Sequence, residues 1–443
     1  MNRLRSRWLA AGATAVLATG LVACGDDKKD SGGGGGGGGS DVANASFDLT
    51  IGDIVPLTGD LNTYGPGGDK AGKIAVEQLT AALKQDGISG VSFKNVAADD
   101  ESKPTSAPQA ASKLTNDGAT CLVGAYASAN TLALGNGIAV DNEVPLISPA
   151  STSPELTGLQ DDGFVWRTAI SDARQGKVLS DAIAKQLGGA TGKTISIGAR
   201  NDAYGEGIAK ALKGEWEKAG GKVTGTVLYD PNQPSYNSEA GKIAGNGSDS
   251  AYVIVDFPET FAKVAPALVR TGKWDAKKAW YTDGLAVAGG AAELKKQNIP
   301  VAAIDGSNGT RPAADSKTAG AKTFAELYAA SKASPTGEPP TFAAQNFDAH
   351  VLCGLAAIAA GSKDGTAIKD KLKAVSGAPG TKYGPGQLAQ AIKDLRAGKD
   401  IDYDGASGPI DFDDAGDPTA GSYDIYTYEG ADLKVTDTVQ IGG

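Results

Sequence analysis

From Phe47 onward the chain alternates two kinds of segment, and this alternation limits its fold more than any other feature. FDLTIGDIVPL (47–57), VSFKNVAADD (91–100), ATCLVGA (119–125) and EVPLIS (143–148) are short apolar runs that read as strands. Between them the apolar spacing turns helical, over Gly72–Leu83, from Pro104 to Asn116 and over Asn130–Val140. GFVWRTA (163–169) leads into a second series. It holds a helix over Gln175–Leu187, the strand TISIGA (194–199) and a helix over Gly205–Ala219. Strands KVTGTVLYD (222–230), SAYVIVDF (250–257) and KKAWYTD (277–283) follow. Strands separated by helices of about 10–15 residues build βαβ units and parallel sheets. Two such series in 443 residues predict an α/β protein of two Rossmann-like lobes.

In open α/β sheets, ligands bind beyond the carboxyl ends of the strands, so the residues after each strand carry the functional signal. They are Pro56 to Asp60 with Tyr64-Gly65, Asp99-Asp100, Gly124 to Ser128, and Ser148 to Pro154. The second series adds Asn201 to Gly207, Asp256 to Glu259, and Asp283-Gly284. The set is rich in hydroxyls and small residues. It offers no base, histidine or thiol at a strand end, Cys121 lying inside its strand, and so no nucleophile–base pair for catalysis. Ser128, Ser151 and Thr152, with amides at helix starts, can hold a carboxylate. Asp283, with Asp256, can accept hydrogen bonds from an ammonium group. Tyr64 and Tyr204 can supply apolar walls with polar tips. Anion donors in one lobe and acids in the other match a zwitterion such as an amino acid. Taken singly, each serine fits a helix cap as well; their convergence on one edge favours a ligand.

The N-terminus reads as an export signal. MNRLRSR is followed by an uncharged apolar run from Trp8 to Val22, then Ala23-Cys24. That run is 15 residues long, short of the roughly 20 that span a bilayer. The ending resembles a bacterial lipobox, which implies a signal peptide over 1–23 and an acylated Cys24. Gly25 to Ser46 contains eight consecutive glycines, Gly32 to Gly39, and reads as a flexible tether. No other stretch is apolar enough to span. A net charge of −10 argues against nucleic acid as a partner. One histidine, His350, cannot build a multi-histidine zinc site, and three cysteines leave no cluster, so neither metal nor cofactor is expected.

PLTGDLNTYG (56–65), ADDESKP (98–104), VGAYAS (123–128) and VPLISPASTSPELT (144–157) carry a resemblance, with DARQG (172–176), NDAYGEG (201–207), YTDG (281–284) and SGPIDFDDAGDP (407–418). In this order and spacing the chain resembles the leucine/isoleucine/valine-binding protein family from about Phe47 to Gly443. These are type I periplasmic binding proteins that serve ABC importers. The resemblance implies three crossings between lobes, near Arg167-Thr168, Asn308-Gly309 and Gly408. One lobe would be 47–167 plus 309–408, the other 168–308 plus 409–443, closing on a ligand by a hinge motion. It implies that Ser128, helped by Ser151 and Thr152, binds the ligand carboxylate and that Asp283 binds the ammonium. Tyr204 closes over the ligand and Tyr64 lines the side-chain pocket. Two departures stand out. Asp283 occupies a position where amino-acid binders often have glutamate, and Asp256-Phe257 stands where an aromatic pair is common. A second acid facing the ligand would favour a more cationic solute, and amides, short peptides and urea-like solutes stay open.

The implied function is an extracytoplasmic solute-binding lipoprotein, held to the membrane by its lipid and delivering an amino acid or related solute to an ABC permease. The alternative is a receptor module of the same fold that signals. A hydrolase would need His350 at the cleft beside a serine; His350 is expected on a helix, partly exposed. With the helix of Cys353 packed on the first lobe, Cys121 and Cys353 are expected to form a disulfide in an oxidising compartment. Trp166-Arg167 reads as hinge packing. Gly67 to Ile74 lacks the Ser/Thr of a P-loop, and Gly192-Lys193-Thr194 lacks its first glycine. Asp411, Asp413 and Gly416 resemble a calcium loop, but Ala415 and Ser422 stand where it needs an oxygen ligand and glutamate, so a turn is expected.

Overall fold

The computed structural model describes residues 42–287, 289–333, 335 and 337–442. The expected signal peptide, Cys24 and the glycine run lie outside the described residues. Val42 to Ser46, read as the end of the tether, packs on the body instead. Arg396 donates to the Ala43 and Ala45 carbonyls, and Ser46 Oγ to Gly90 O at 2.7 Å.

β1 (Phe47–Val55), β2 (Val91–Asp99), β3 (Ala119–Val123), β4 (Leu146–Ser148) and β5 (Val165–Arg167) form the first sheet, in the order β2-β1-β3-β4-β5. Every pair in it is parallel; Phe47 lies opposite Val91, and Ile51 opposite Cys121. β6 (Thr194–Arg200), β7 (Lys222–Tyr229), β8 (Ala251–Val255), β9 (Ala279–Tyr281) and β10 (Asn308–Ala313) belong to the second sheet. β11 (Thr381–Tyr383) and β12 (Ile401–Tyr403) make a separate parallel pair. β13 (Gly421–Glu429) and β14 (Asp432–Ile441) form a hairpin that joins the second sheet antiparallel to β10. The second sheet runs β14-β13-β10-β9-β8-β6-β7.

The helix Ala343–Ala360 is buried over its first sixteen residues. Being enclosed, it can be apolar all round, and it forms the heart of the first lobe's core with β1, β3 and the helix Gly65–Gln85. Among the described residues no single helix is long and apolar enough to cross a membrane. His350 sits on this core helix fully buried, not partly exposed as the sequence suggested. Its Nδ1 pairs with Asn346 O at 2.9 Å, and burial pushes its pKa down to about 4. It has no place at a cleft. Cys353 of the same helix is disulfide-bonded to Cys121 of β3, with Cα atoms 6.1 Å apart.

The chain passes between lobes at three places. It leaves the first sheet after β5 and enters the helix Asp172–Leu187 beside the second. The second passage lies past Ala313, because Asn308-Gly309 is inside β10 and pairs with Trp280 and Tyr281. The third lies past Phe412, because Ile410 and Phe412 belong to the first lobe's core. Arg167 pins the first and third passages together. Its Nε and Nη2 both donate to Asp417 at 2.6 Å, and its Nη1 donates to Ser153 O at 2.8 Å. Trp166 packs on Phe412, ring centroids 5.0 Å apart. The segment resembling a calcium loop is a turn in which Asp413 Oδ1 accepts from Ala415 N and Asp417 N.

Candidate functional site

The two lobes face each other across a cleft built from strand ends. Tyr64 ends the loop after β1, and its hydroxyl crosses the cleft to donate to the carbonyls of Asp283 and Gly284, at 3.2 and 3.1 Å. Ser128 begins the short helix Ser128–Leu134 after β3, and its Oγ accepts from Ser153 N at 3.2 Å. Tyr204 lies in the first turn of the helix Ala203–Lys218, which Asp202 caps by accepting from Gly205 N. The Tyr204 hydroxyl meets Thr282 Oγ1 at 2.7 Å and Asp283 Oδ1 at 3.2 Å. It also accepts from Gly284 N at 3.1 Å. Gly284 must be glycine for this approach, since a Cβ there would stand 2.4 Å from Asp256 O.

Tyr64, Ser128, Tyr204 and Asp283 line one cavity, together with Leu61, Tyr126, Ala150, Phe257, Gly284 and Phe342. Its free space is about 10 Å³, room for roughly one water molecule. Entry of anything larger requires the lobes to part. Tyr204 stacks on Phe257 with centroids 5.1 Å apart, and the Arg200 guanidinium lies over the same ring, 3.8 Å from its centroid.

The other expected residues stand behind the cavity wall. Ser151 Oγ pairs with Thr131 Oγ1 at 2.7 Å and with the Ala125 and Tyr126 carbonyls. Thr152 Oγ1 donates to Asp172 at 2.8 Å. Asp256 does not face the cavity. It accepts from Tyr229 OH and Phe257 N and stands 3.6 Å from Arg200 Nη1. Arg200 and Arg167 are the last residues of β6 and β5, so strand ends do carry basic residues. Both are buried among acids and carbonyls, which is why the cavity itself holds no cation. Three carboxylates, Asp60, Asp202 and Asp256, share the Arg200 guanidinium. That sharing leaves Asp256 undercompensated, and burial pushes its pKa up to about 8.

The acid that accompanies Asp283 is Asp172, which the strand-end reading passed over because GFVWRTA reads only as the lead-in to the second series. Its Oδ1 has no partner in the structure. Burial and the neighbouring Asp283 hold the Asp172 carboxyl well above the usual range. Burial also raises Asp283, to about 6, against hydrogen bonds from Gln175 and Tyr204. Two buried acids that interact in this way disfavour carrying two negative charges at once. Among the described residues no group of His, Cys, Asp and Glu is placed to hold a metal ion.

Two lobes with largely parallel sheets, closing on a small cavity of aromatic walls with a few polar groups, are the architecture of a solute-binding protein. The chain belongs to the periplasmic binding protein family, whose pattern matches residues 48–431. This is a family of extracytoplasmic binding proteins, not enzymes. The chain is 27% identical over 400 residues to the chemotactic signal transduction system substrate-binding protein BasB of Halobacterium salinarum, covering 89% of this chain and 90% of that one. It is 30% identical over 216 residues to Leu/Ile/Val-binding protein homolog 3 of Brucella melitensis. That match covers 47% of this chain and 55% of the relative, and several other relatives are likewise matched over about half their length. The fold is similar to the branched-chain amino acid transporter substrate-binding protein LivJ of Streptococcus pneumoniae in complex with isoleucine. The TM-score is 0.69 at 22% identity, covering 90% of this chain and 100% of that one. A solute-binding protein of Rhodopseudomonas palustris in complex with benzoate superposes with TM-score 0.63 at 21% identity, covering 90% and 98%.

Proposed function

We propose that the protein captures an amino acid, or a similar small zwitterion, between its lobes outside the cytoplasm and hands it to an ABC permease. One observation carries this reading: a single cavity has Ser128 on one lobe and Asp283, backed by Asp172, on the other. A serine hydroxyl suits a carboxylate. A buried acid pair suits an ammonium group, whose positive charge offsets the cost of burying a carboxylate. Leu61, Phe257 and Phe342 give an apolar side-chain wall, in keeping with the branched-chain type. The acylated Cys24 would hold the protein at the membrane. The BasB relative favours a second reading, in which the loaded form reports to a signalling partner. Radiolabelled uptake and tactic response in a strain lacking the protein separate the two.

A thermal-shift screen over amino acids, amides, polyamines, urea and small carboxylates tests the solute class, since a ligand of the folded state raises the melting temperature. Asp283→Ala and Ser128→Ala are each expected to weaken binding by about tenfold or more, because truncation leaves a ligand charge unpaired in a closed cleft. Unchanged affinity in both, by calorimetry, would place the site elsewhere.

A further inference from the structure

Closure of the lobes assembles a cluster whose charges do not balance. The Arg200 guanidinium meets three carboxylates, and among the described residues none of the three is ion-paired with any other cation. Asp202 and Asp256 belong to its own lobe. Asp60 reaches it from the loop after β1 on the other lobe, where Thr260 Oγ1 donates to it at 3.0 Å. Asp60 and Asp256 compete for one nitrogen: Nη1 stands 3.1 Å from Asp60 Oδ2 and 3.6 Å from Asp256 Oδ1. Asp202 takes Nε.

The acid best placed to lose its charge is Asp256. It is 0% exposed, whereas the Asp60 and Asp202 side chains are each 19% exposed and keep some water. Its Oδ1 accepts from Phe257 N at 2.8 Å and its Oδ2 from Tyr229 OH at 2.9 Å. A hydroxyl can turn to accept, so a proton on Oδ2 leaves no polar group unpaired. Tyr236, edge-on to Tyr229, donates to the Asp230 and Pro231 carbonyls and brings no charge. The Asp230 carboxylate turns away to accept from Asn232 N. Burial, aided by the Asp60 charge, holds the Asp256 carboxyl at about 8 against the pull of Arg200 and the two hydrogen bonds.

We propose that closure of the lobes takes up a proton at Asp256, so that the protein holds its solute more tightly as its surroundings acidify. Opening withdraws Asp60, frees Nη1 for Asp256 and admits water, and each change favours the ionised carboxylate. The closed form therefore binds more protons than the open form from the ordinary carboxylate range up to about 8, and affinity rises as pH falls through that window. Above it, the closed form must bury a charge that Arg200 does not offset, and the lobes part more readily. The inference needs closure on a solute and is independent of the solute's class.

The test titrates the full chain with leucine, and with benzoate as a second probe, by calorimetry at pH about 7.5 in phosphate and in Tris. These buffers differ in ionisation enthalpy, so the difference in heat counts the protons taken up. Native protein is expected to take up about half a proton or more beyond Asp256→Asn, a variant that keeps the size of the protonated acid. Its affinity is expected to rise about fivefold from pH about 8.5 to about 7, relative to Asp256→Asn. Asp60→Asn, which leaves Asp256 in place, is expected to lose part of the uptake. Asp172 and Asp283 are common to all three proteins and drop out of the comparison. Equal uptake in native and Asp256→Asn would overturn the proposal, and so would an uptake that Asp60→Asn leaves unaltered. If neither probe binds, solution scattering of the solute-free protein decides. Its radius of gyration is expected to fall from pH about 8.5 to about 6.5 in native and to stay constant in Asp256→Asn. A native radius that does not respond to pH would then overturn the coupling.

Discussion

Asp53 sits on β1, an inner strand of the first sheet, fully buried, with Oδ2 unpaired. Its Oδ1 accepts from Asn346 Nδ2 at 3.4 Å, and the same amide donates to Tyr126 OH at 2.9 Å. One amide therefore links the cleft wall to a buried acid. The nearby His350 Nε2, 3.8 Å from Oδ2, gives no charge, since burial keeps that ring neutral. Desolvation and the Asp69 charge push the Asp53 pKa up to about 8. A carboxyl whose folded pKa is raised binds more protons folded than unfolded, so its contribution to stability falls as pH rises from about 4 to 8. His350 acts oppositely, but only between about 4 and 6.5. The window from 6.5 to 8 is thus left to the raised acids, with Asp172 and Asp256 acting in the same sense. Each contributes at most about 1.4 kcal/mol per pH unit. Asp53→Asn is expected to raise the urea midpoint at pH about 8 and flatten its fall from pH about 6.5. A slope equal to wild type would show that Asp53 is already ionised in the fold. The sequence could not reveal this site: His350 and Asp53 lie far apart in the chain, and an apolar helix with one histidine reads equally well as half-exposed.

The disulfide between Cys121 and Cys353 ties β3 to the core helix across a sequence separation of 232 residues. Closing so long a loop restricts the unfolded chain, worth up to about 5 kcal/mol. Replacing both cysteines by alanine is expected to lower the thermal midpoint markedly, and reduction of wild type to match it. No change in either would mean that the bond does not constrain the unfolded state. Elements like β3 and the core helix are legible because period and length distinguish a five-residue apolar strand from an eighteen-residue helix. The hairpin of β13 and β14 escaped, because strands paired antiparallel at the end of an α/β chain break the alternation that guides the reading. The second and third passages between lobes lie later than the resemblance implied, because β10 runs through Asn308-Gly309 and because Ile410 and Phe412 pack in the first lobe's core. Strand ends brought Tyr64, Ser128, Tyr204 and Asp283 to one cavity. They could not say which way Asp256 turns after β8. Nor could they reach Asp172, which follows GFVWRTA, a segment that reads only as the lead-in to the second series, or Phe342, which follows no strand.

Closure of the whole molecule rests on a few bonds between the loop after β1 and the second lobe. Asp60 accepts from Arg200 Nη1 at 3.1 Å and from Thr260 Oγ1 at 3.0 Å. Gln297 Nε2 donates to Asn62 Oδ1 at 3.1 Å, and Tyr64 bridges to Asp283 and Gly284. Arg200 is also the cation over Phe257, the ring on which Tyr204 stacks, so the latch touches the cleft wall. These bonds reach across lobes that must part for a solute to enter, so they are broken in the open form and remade on closing. Removing one should leave solute encounter nearly unchanged and speed release. Asp60→Ala keeps Arg200 paired with Asp202 and Asp256, so the fold should tolerate it. The expected result is an affinity lower by about tenfold, nearly all in the dissociation rate by stopped-flow fluorescence, with a larger radius of gyration in solution scattering. A slower association with unchanged release would mean that Asp60 steers the solute inward and holds nothing shut.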